Sequence, residues 1–282
     1  MKHFTLITNA YKDKELRFTE QVKAYIRARG GTAVGLLSNS IGQLKEFQIS
    51  DIPKDTEMIF VLGGDGTLIR AATAVQSLGI PLMGVNLGTL GYLCELEEST
   101  VFPAIDRLMK DDYSVEERMM LCGHLDGVNE SRAAMNDIVI HRTGDLTMLS
   151  LIVYVNGKIL YTYHADGIIV ATPTGSTGYN MSAGGPIVDP KAKMILLTPI
   201  NAHNLNSKSI VLDAEDEIVI EVARRRYEHE EEACVSFDGD QVAELKVGDR
   251  FVISKAPNIT KICKLHNLSF LELLRKKMET YT

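Results

Sequence analysis

The chain has 282 residues, 45% hydrophobic and 24% charged, with 22 Gly and only 8 Pro; this suits a folded protein of about two domains and excludes collagen-like, low-complexity and disordered chains. Thirty Lys and Arg against 37 Asp and Glu leave a formal charge of −7, so a nucleic-acid partner would need a local basic stripe, and none is present. Cys94, Cys122, Cys234 and Cys263 stand far apart with no C-x-x-C pair, which argues against a disulfide framework or structural zinc and fits a reducing cytoplasm.

The apolar stretch Phe4 to Ile7 is too short for a signal-peptide core, and no segment approaches the ~20 apolar residues that span a bilayer. A soluble protein with no membrane partner is expected. Phe4 to Thr8 reads as a strand; Leu16, Val22 and Ile26 recur at helical spacing until Gly30-Gly31; Thr32 to Leu37 reads as a second strand. Met58 to Leu62 is an unbroken apolar run, followed by a helix beginning near Leu68 with Leu68, Ile69, Ala72 and Val75 on one face, then a strand from Ile80 to Val85. Such strands belong to a buried parallel sheet. A helix from about Ser99 to Lys110, capped by Ser99, turns Phe102, Ile105 and Leu108 inward.

After Ser114 the pattern changes to alternation. Leu151, Val153 and Val155 run into Asn156-Gly157, with Ile159, Tyr161 and Tyr163 beyond, which predicts a hairpin. Ile138 to Ile140, Gly167 to Ala171, Met194 to Thr198, Ser209 to Leu212, Glu217 to Val222, Cys234 to Phe237 and Arg250 to Ile253 read as further strands. Arg224-Arg225-Arg226 followed by Glu228, Glu230, Glu231 and Glu232 reads as a solvated hairpin tip. Leu268, Leu271, Leu274 and Met278 make a last amphipathic helix, expected to return to the first domain. The expected division is an α/β domain over 1–112, completed by 266–282, and a β-rich domain over 113–265.

Two segments carry chemistry. Gly63-Gly64-Asp65-Gly66-Thr67 stands between an apolar strand and a helix, where glycines let backbone N–H groups approach a phosphate. It is no Walker loop, and Ile69 occupies the third glycine position of a dinucleotide fingerprint. A carboxylate there repels phosphate unless it binds a metal ion or takes a proton from a hydroxyl, so Asp65 suggests phosphoryl transfer; a helix cap is the plainer reading. The run Thr172-Pro173-Thr174-Gly175-Ser176-Thr177-Gly178-Tyr179-Asn180-Met181-Ser182-Ala183-Gly184-Gly185-Pro186 offers hydroxyls, an amide and a ring to a polar planar ligand. Asn136-Asp137 pairs an amide suited to a base edge with a carboxylate suited to ribose hydroxyls, and also suits an ordinary turn.

Together these segments resemble the NAD kinase family, ATP:NAD 2′-phosphotransferases, over nearly the whole chain. Gly63 to Thr67 is similar to its GGDGT motif, Asn136-Asp137 to its Asn-Glu/Asp motif, and Thr172 to Pro186 to its threonine/glycine-rich signature. Asn86-Leu87-Gly88-Thr89-Leu90-Gly91-Tyr92-Leu93 and Thr198-Pro199-Ile200 are similar to further family segments. The resemblance implies a phosphofructokinase/diacylglycerol-kinase-like parallel-sheet α/β domain and a β-rich NAD-binding domain. It implies Asp65 as general base toward the adenosine ribose 2′-hydroxyl, Gly64 and Gly66 against the dinucleotide, and Arg70 at its phosphates. Asn136 would meet the adenine edge, Asp137 the nicotinamide ribose, and Thr177, Gly178, Tyr179 and Ser182 the nucleotide, with His164 and Asp166 near the same pocket. Mg²⁺ would arrive on ATP with no protein ligand assigned, and the assembly would be a homodimer or homotetramer in which Asp166 serves its neighbour's nucleotide. Gly178 stands where alanine is common, Asp137 is the shorter of two acids, and after Phe237-Asp238-Gly239, where the family often has Gln, Asp240 precedes Gln241, so no role is carried to that position. Diacylglycerol- and sphingosine-kinase-like enzymes share GGDGT, but the Thr172 to Pro186 match argues against a lipid kinase. A non-catalytic dinucleotide sensor would have no need of Asp65.

Overall fold

Strands and helices alternate through the first hundred residues as β1 (His3–Thr8), α1 (Arg17–Ala28), β2 (Thr32–Leu37), β3 (Met58–Gly63), α2 (Asp65–Val75), β4 (Leu82–Asn86), β5 (Leu96–Glu97) and α3 (Val101–Leu108). The computed structural model describes residues 1–39, 45–88, 91–143, 148–203, 208–224, 232–265 and 269–280. The chain divides into two units, Met1–Glu117 with Ile259–Thr282 and Arg118–Asn258. In the first, β2, β1, β3 and β4 are parallel neighbours in that order, and β4 also pairs with β5 and with Ile262. β3 is buried along its whole length because helices cover both faces. Met58, Phe60 and Leu62 pack with Phe18, Val22 and Ile26 of α1 and with Val101, Ile105 and Leu108 of α3. Leu68 of α2 lies against Gly84, whose neighbours Met83 and Val85 point into the α1/α3 core, so α2 covers the other face.

Two boundaries shift for local reasons. α2 starts at Asp65 rather than near Leu68 because extended Gly64 is its N-cap residue and its first turn is polar. α3 follows a 3₁₀ turn, Glu98–Thr100, and Ser99 does not cap it; the Glu97 N–H donates to Thr100 Oγ1 at 3.0 Å.

The remaining elements are β6 (Ser114–Leu125), β7 (Arg132–Ala134), β8 (Asp137–Arg142), β9 (Leu149–Val155), β10 (Lys158–Ala165), β11 (Gly167–Ala171), α4 (Tyr179–Ser182), β12 (Met194–Ile200), β13 (Ile210–Asp213), β14 (Ile218–Val222), β15 (Glu232–Phe237), β16 (Asp240–Lys246), β17 (Arg250–Lys264) and α5 (Phe270–Thr280). In the second unit an antiparallel sheet, β13-β12-β11-β8-β15-β16, shares one core with a layer made of β10, β9, β14 and the start of β17. Ile138, Ile140, Ile168 and Val170 meet Leu151, Val153, Ile218 and Ile220 there, a sheet-on-sheet core. The β9–β10 hairpin turns at Asn156 (φ 49) and Gly157 (φ 74), the pair of left-handed residues that a two-residue type I′ turn requires. On the outer face of the six-stranded sheet, Val139, Ile169, Ala171 and Leu196 pack with Ala183 and Val188, which seats the 172–188 segment on that face.

β6, β7 and β16 lie outside the sequence-predicted strands, and β17 runs eleven residues beyond Ile253. Of the charge run only Arg224 and Glu232 are described; Arg225 to Glu231, like Thr89, Leu90 and Leu268, lie outside the described residues. α5 belongs to the first unit, with the Lys277 ammonium 5.4 Å from the Tyr92 ring centre. Its apolar stripe is open, however: Leu271 is 70% and Met278 63% exposed. Among the described residues no helix is long and apolar enough to cross a membrane, and all four cysteines are free.

Candidate active site

In the first unit, β3 ends at Gly63 and α2 begins one residue past Gly64, at the carboxyl edge of the parallel sheet where such sheets bind ligands. A Cβ on Gly63 would stand 2.5 Å from Thr67 Oγ1 and one on Gly64 2.7 Å from Lys12 Nζ, while Gly66 faces open space. Asp65 does not cap its helix. Its Oδ2 accepts the Tyr92 N–H at 2.5 Å, and its Oδ1 accepts those of Leu93 at 3.2 Å and Cys94 at 3.1 Å. The Cys94 thiol bonds the same carboxylate, of which Oδ1 accepts two backbone N–H groups and Oδ2 one. Gly91 makes the approach possible, because a Cβ there would fall 2.0 Å from Asp65 Oδ1. Burial first, and then the Asp65 charge, push the Cys94 thiol up from its ordinary value, so Cys94 stays protonated beside it. Arg70 is exposed on α2.

In the second unit a cleft of about 720 Å³ is lined by Asn136, Asp137, Asp166 and Tyr179 among the expected residues. Thr177, Ser182 and His164 are not among its lining. Asp137 opens β8 and is buried. Asp238 (φ 49) and Gly239 (φ 91) turn the chain through the left-handed region. That turn aims the Asp238 carboxylate at the N–H groups of Met135 (2.8 Å), Asn136 (2.7 Å) and Asp137 (3.2 Å). Burial, and then the charge of Asp238, raise the Asp137 carboxyl to about 7. Asn136 Oδ1 is a buried acceptor without a partner among the described residues.

The threonine/glycine-rich segment divides its polar groups between two tasks. Buried Asn180 donates to the carbonyls of Ser176 and Pro186 and accepts from Thr198 Oγ1 at 2.7 Å. Thr172 Oγ1 donates to the Met135 carbonyl at 2.7 Å, and Ser176 Oγ exchanges bonds with Val188. These groups hold the loop. A Cβ on Gly175 would fall 2.1 Å from the Asn136 carbonyl, so Gly175 lets the loop press against the Asn136-Asp137 backbone. Tyr179 and Ser182 are exposed, and Thr177 is half-buried with its hydroxyl on the Thr174 carbonyl. A Cβ on Gly178 would lie 3.5 Å from Asn136 Nδ2 and 3.8 Å from Asp137 Oδ2, which places Gly178 behind both.

Asp166 accepts from Arg142 Nε at 2.9 Å and Asn201 Nδ2 at 3.0 Å. The Asn201 bond, with help from Arg142, holds its carboxyl below the usual range. His164 is half-buried in β10, its Nδ1 without a partner among the described residues. His141, Arg142, Asn201, Ser236 and Asp238 also line the cleft, and Lys12 stands at the glycine loop; of these only Asp238 lies in a segment similar to the family's, and nothing in that segment marks its use. Among the described residues no three His, Cys, Asp or Glu side chains gather as a metal site.

The ATP-NAD kinase N-terminal domain family matches residues 5–113, and the ATP-NAD kinase C-terminal domain family matches residues 135–265. An NAD kinase of Agathobacter rectalis is 68% identical over 284 residues, covering all of both chains. One from Lachnoclostridium phytofermentans is 42% identical over 98% of this chain and 99% of its own. The crystal structure of yeast NADH kinase complexed with NADH superposes with a TM-score of 0.88 at 21% identity, covering 99% of this chain and 88% of its own. An Archaeoglobus fulgidus NAD kinase in complex with ATP gives 0.76 at 21% identity over 99% of each chain. At that identity the likeness is one of fold. A parallel-sheet unit bearing a Gly-Asp-Gly loop and a β-rich unit bearing a polar cleft define a small-molecule kinase. Within that class, the chain belongs to the NAD kinase family.

Proposed function

We infer that the protein transfers the γ-phosphoryl group of ATP to the adenosine ribose 2′-hydroxyl of NAD, giving NADP. The observation that carries the chemistry is the Asp65 carboxylate, fixed beside the α2 N-terminus by three backbone amides, of which Oδ2 accepts only one. The 2′-hydroxyl gives its proton to that oxygen as its own oxygen bonds to the γ-phosphorus; the bond from phosphorus to the β–γ bridging oxygen breaks, and ADP leaves. Gly64 and Gly66 keep side chains out of the way of phosphates at the α2 N-terminus, and Arg70 adds charge one turn on. ATP enters as its Mg²⁺ complex, in which the cation offsets charge on the transferred group.

In the same reading Asn136 Oδ1 accepts from the adenine amine, which supplies the partner it lacks. Asp137 takes nicotinamide-ribose hydroxyls, Tyr179 covers the nucleotide, Gly178 backs it, and Thr177, Ser182, His164 and Asp166 flank it. The enzyme works in the cytoplasm as a homodimer or homotetramer; four free cysteines support the first. The second is supported by β10, an edge strand whose Ile159 and Tyr161 are exposed and which calls for cover. The test is incubation of the purified protein with Mg-ATP and NAD, with NADP detected by a dehydrogenase that accepts only NADP. Absence of NADP refutes the assignment.

A further inference from the structure

Lys12 lies just beyond β1 at the same carboxyl edge of the sheet as the glycine loop. Its backbone is tied down: the N–H groups of Lys12 and Asp13 donate to the Asn9 carbonyl at 3.0 and 3.1 Å, and the Asn9 N–H donates to Leu62 at 2.9 Å. The adjacent carboxylate does not neutralise it. Asp13 is buried and committed to the start of α1, accepting from the Phe18 N–H at 3.0 Å, the Thr19 N–H at 2.8 Å and Thr19 Oγ1 at 2.6 Å. The Lys12 ammonium donates to the Gly63 carbonyl at 3.3 Å and forms no ion pair among the described residues. It stands 2.7 Å from where a Gly64 Cβ would be and 3.6 Å from that of Gly88, so these glycines keep its place open.

A second group converges on the same point. Asn86, 4% exposed, donates from Nδ2 to the Gly88 carbonyl at 2.7 Å, while its Oδ1 has no partner among the described residues. That oxygen lies 3.8 Å from the Gly64 Cβ position. An ammonium has three protons to donate. The Gly63 carbonyl takes one, and Asn86 Oδ1 is an acceptor in waiting for another.

We propose that Lys12 is a further catalytic residue, whose ammonium, held by the Gly63 carbonyl and with Asn86 Oδ1 near it as a second acceptor, binds an oxygen of the phosphoryl group in transfer beside Gly64. This rests on the phosphoryl-transfer reading above. Charge spreads over the three equatorial oxygens of that group as it moves, and a lysine is a compact cation suited to meet it. A surface lysine with no such role would be replaceable without effect on the donor substrate.

The test uses Lys12→Met, Lys12→Arg and Lys12→Cys in the full chain. Lys12→Met is expected to lower kcat/KM for ATP at least about 100-fold, leaving calorimetric NAD affinity within about twofold of the parent and the melting temperature unchanged. Lys12→Arg should recover part of the loss. Lys12→Cys should be inactive until treated with 2-bromoethylamine, which rebuilds a lysine-like ammonium; the treated parent is the control, its cysteines being buried or half-buried. A kcat/KM for ATP within threefold of the parent in Lys12→Met, an equal loss of NAD affinity, or no recovery on aminoethylation overturns the proposal. Equilibrium dialysis with Mg-ATP separates it from the assignment above. If the parent makes no NADP, that assignment fails, and undiminished Mg-ATP binding by Lys12→Met then removes Lys12 as well, whereas a selective loss of binding sustains it.

Discussion

Replacing Asp65 with Asn keeps the side chain's shape but turns one oxygen into a donor that must face the Tyr92 N–H or those of Leu93 and Cys94. The amide also has no lone pair basic enough to take the 2′-hydroxyl proton. Asp65→Asn is therefore expected to lose turnover by about 1,000-fold or more, with NAD affinity within a few-fold and a stability loss of ~1–2 kcal/mol from the mismatched donors. Steady-state rates alongside calorimetry check this, and near-parental kcat removes Asp65 from the base role. Asp137 carries a pH signature. Its folded value of about 7 lies above the ordinary 3.8, so between those limits the folded chain keeps a proton that the unfolded chain has given up. By linkage, stability falls as pH rises through that window and levels off above it. Asp137→Asn removes the ionisation, so its unfolding free energy in urea relative to the parent should rise from pH 5 to pH 8, by about 2–4 kcal/mol at full size. Parallel pH curves for the two proteins would contradict the raised value.

At the scale of elements, the 92–94 segment does for Asp65 what a helix cap does elsewhere, and Gly91 is the point where it fits. Gly91→Ala puts a methyl where the Asp65 carboxylate stands, since the Cβ would lie 2.0 to 2.1 Å from its three terminal atoms. The carboxylate must swing away, so turnover is expected to fall about 100-fold or more, even though position 91 takes no part in the chemistry. Retained turnover in a variant of parental stability would show that Asp65 tolerates displacement. Gly63 to Thr67 was legible because its glycines and acid interrupt an otherwise apolar strand-to-helix passage, and the β9–β10 hairpin because Asn156-Gly157 determines its turn by itself. β6 was not: its opening Ser114-Val115-Glu116-Glu117-Arg118 breaks alternation, and its pairing with β7 is a tertiary event. Asp238-Gly239 has the composition of any turn. Its use, a carboxylate aimed at three amides about a hundred residues earlier, exists only once β15 lies beside β8. Periodicity likewise marked the apolar stripe of α5 but said nothing of what covers it, and Leu271 and Met278 stand open.

At the scale of the molecule, the prediction is that two chains together supply the groups that hold a nucleotide. Asp166 is the first residue after edge strand β10, whose Ile159 and Tyr161 are exposed, so an assembly that covers this edge brings Asp166 to the contact between subunits. Within its own chain Asp166 is held ionised by Asn201 and Arg142; it is predicted to accept from a hydroxyl or amine of a nucleotide held mainly by the neighbour. Asp65→Ala and Asp166→Ala should each be inactive. If the two are unfolded and refolded together, each hybrid dimer gathers both lesions in one site and leaves the other with both parental residues. Random mixing makes about half the dimers hybrids with half their sites intact, so activity should return to about a quarter of the parental value. Should Asp166 serve its own chain, every site in the mixture carries one lesion. A mixture proved to contain hybrids by native mass spectrometry, one variant carrying a mass tag, and still inactive, therefore rules out sharing between subunits.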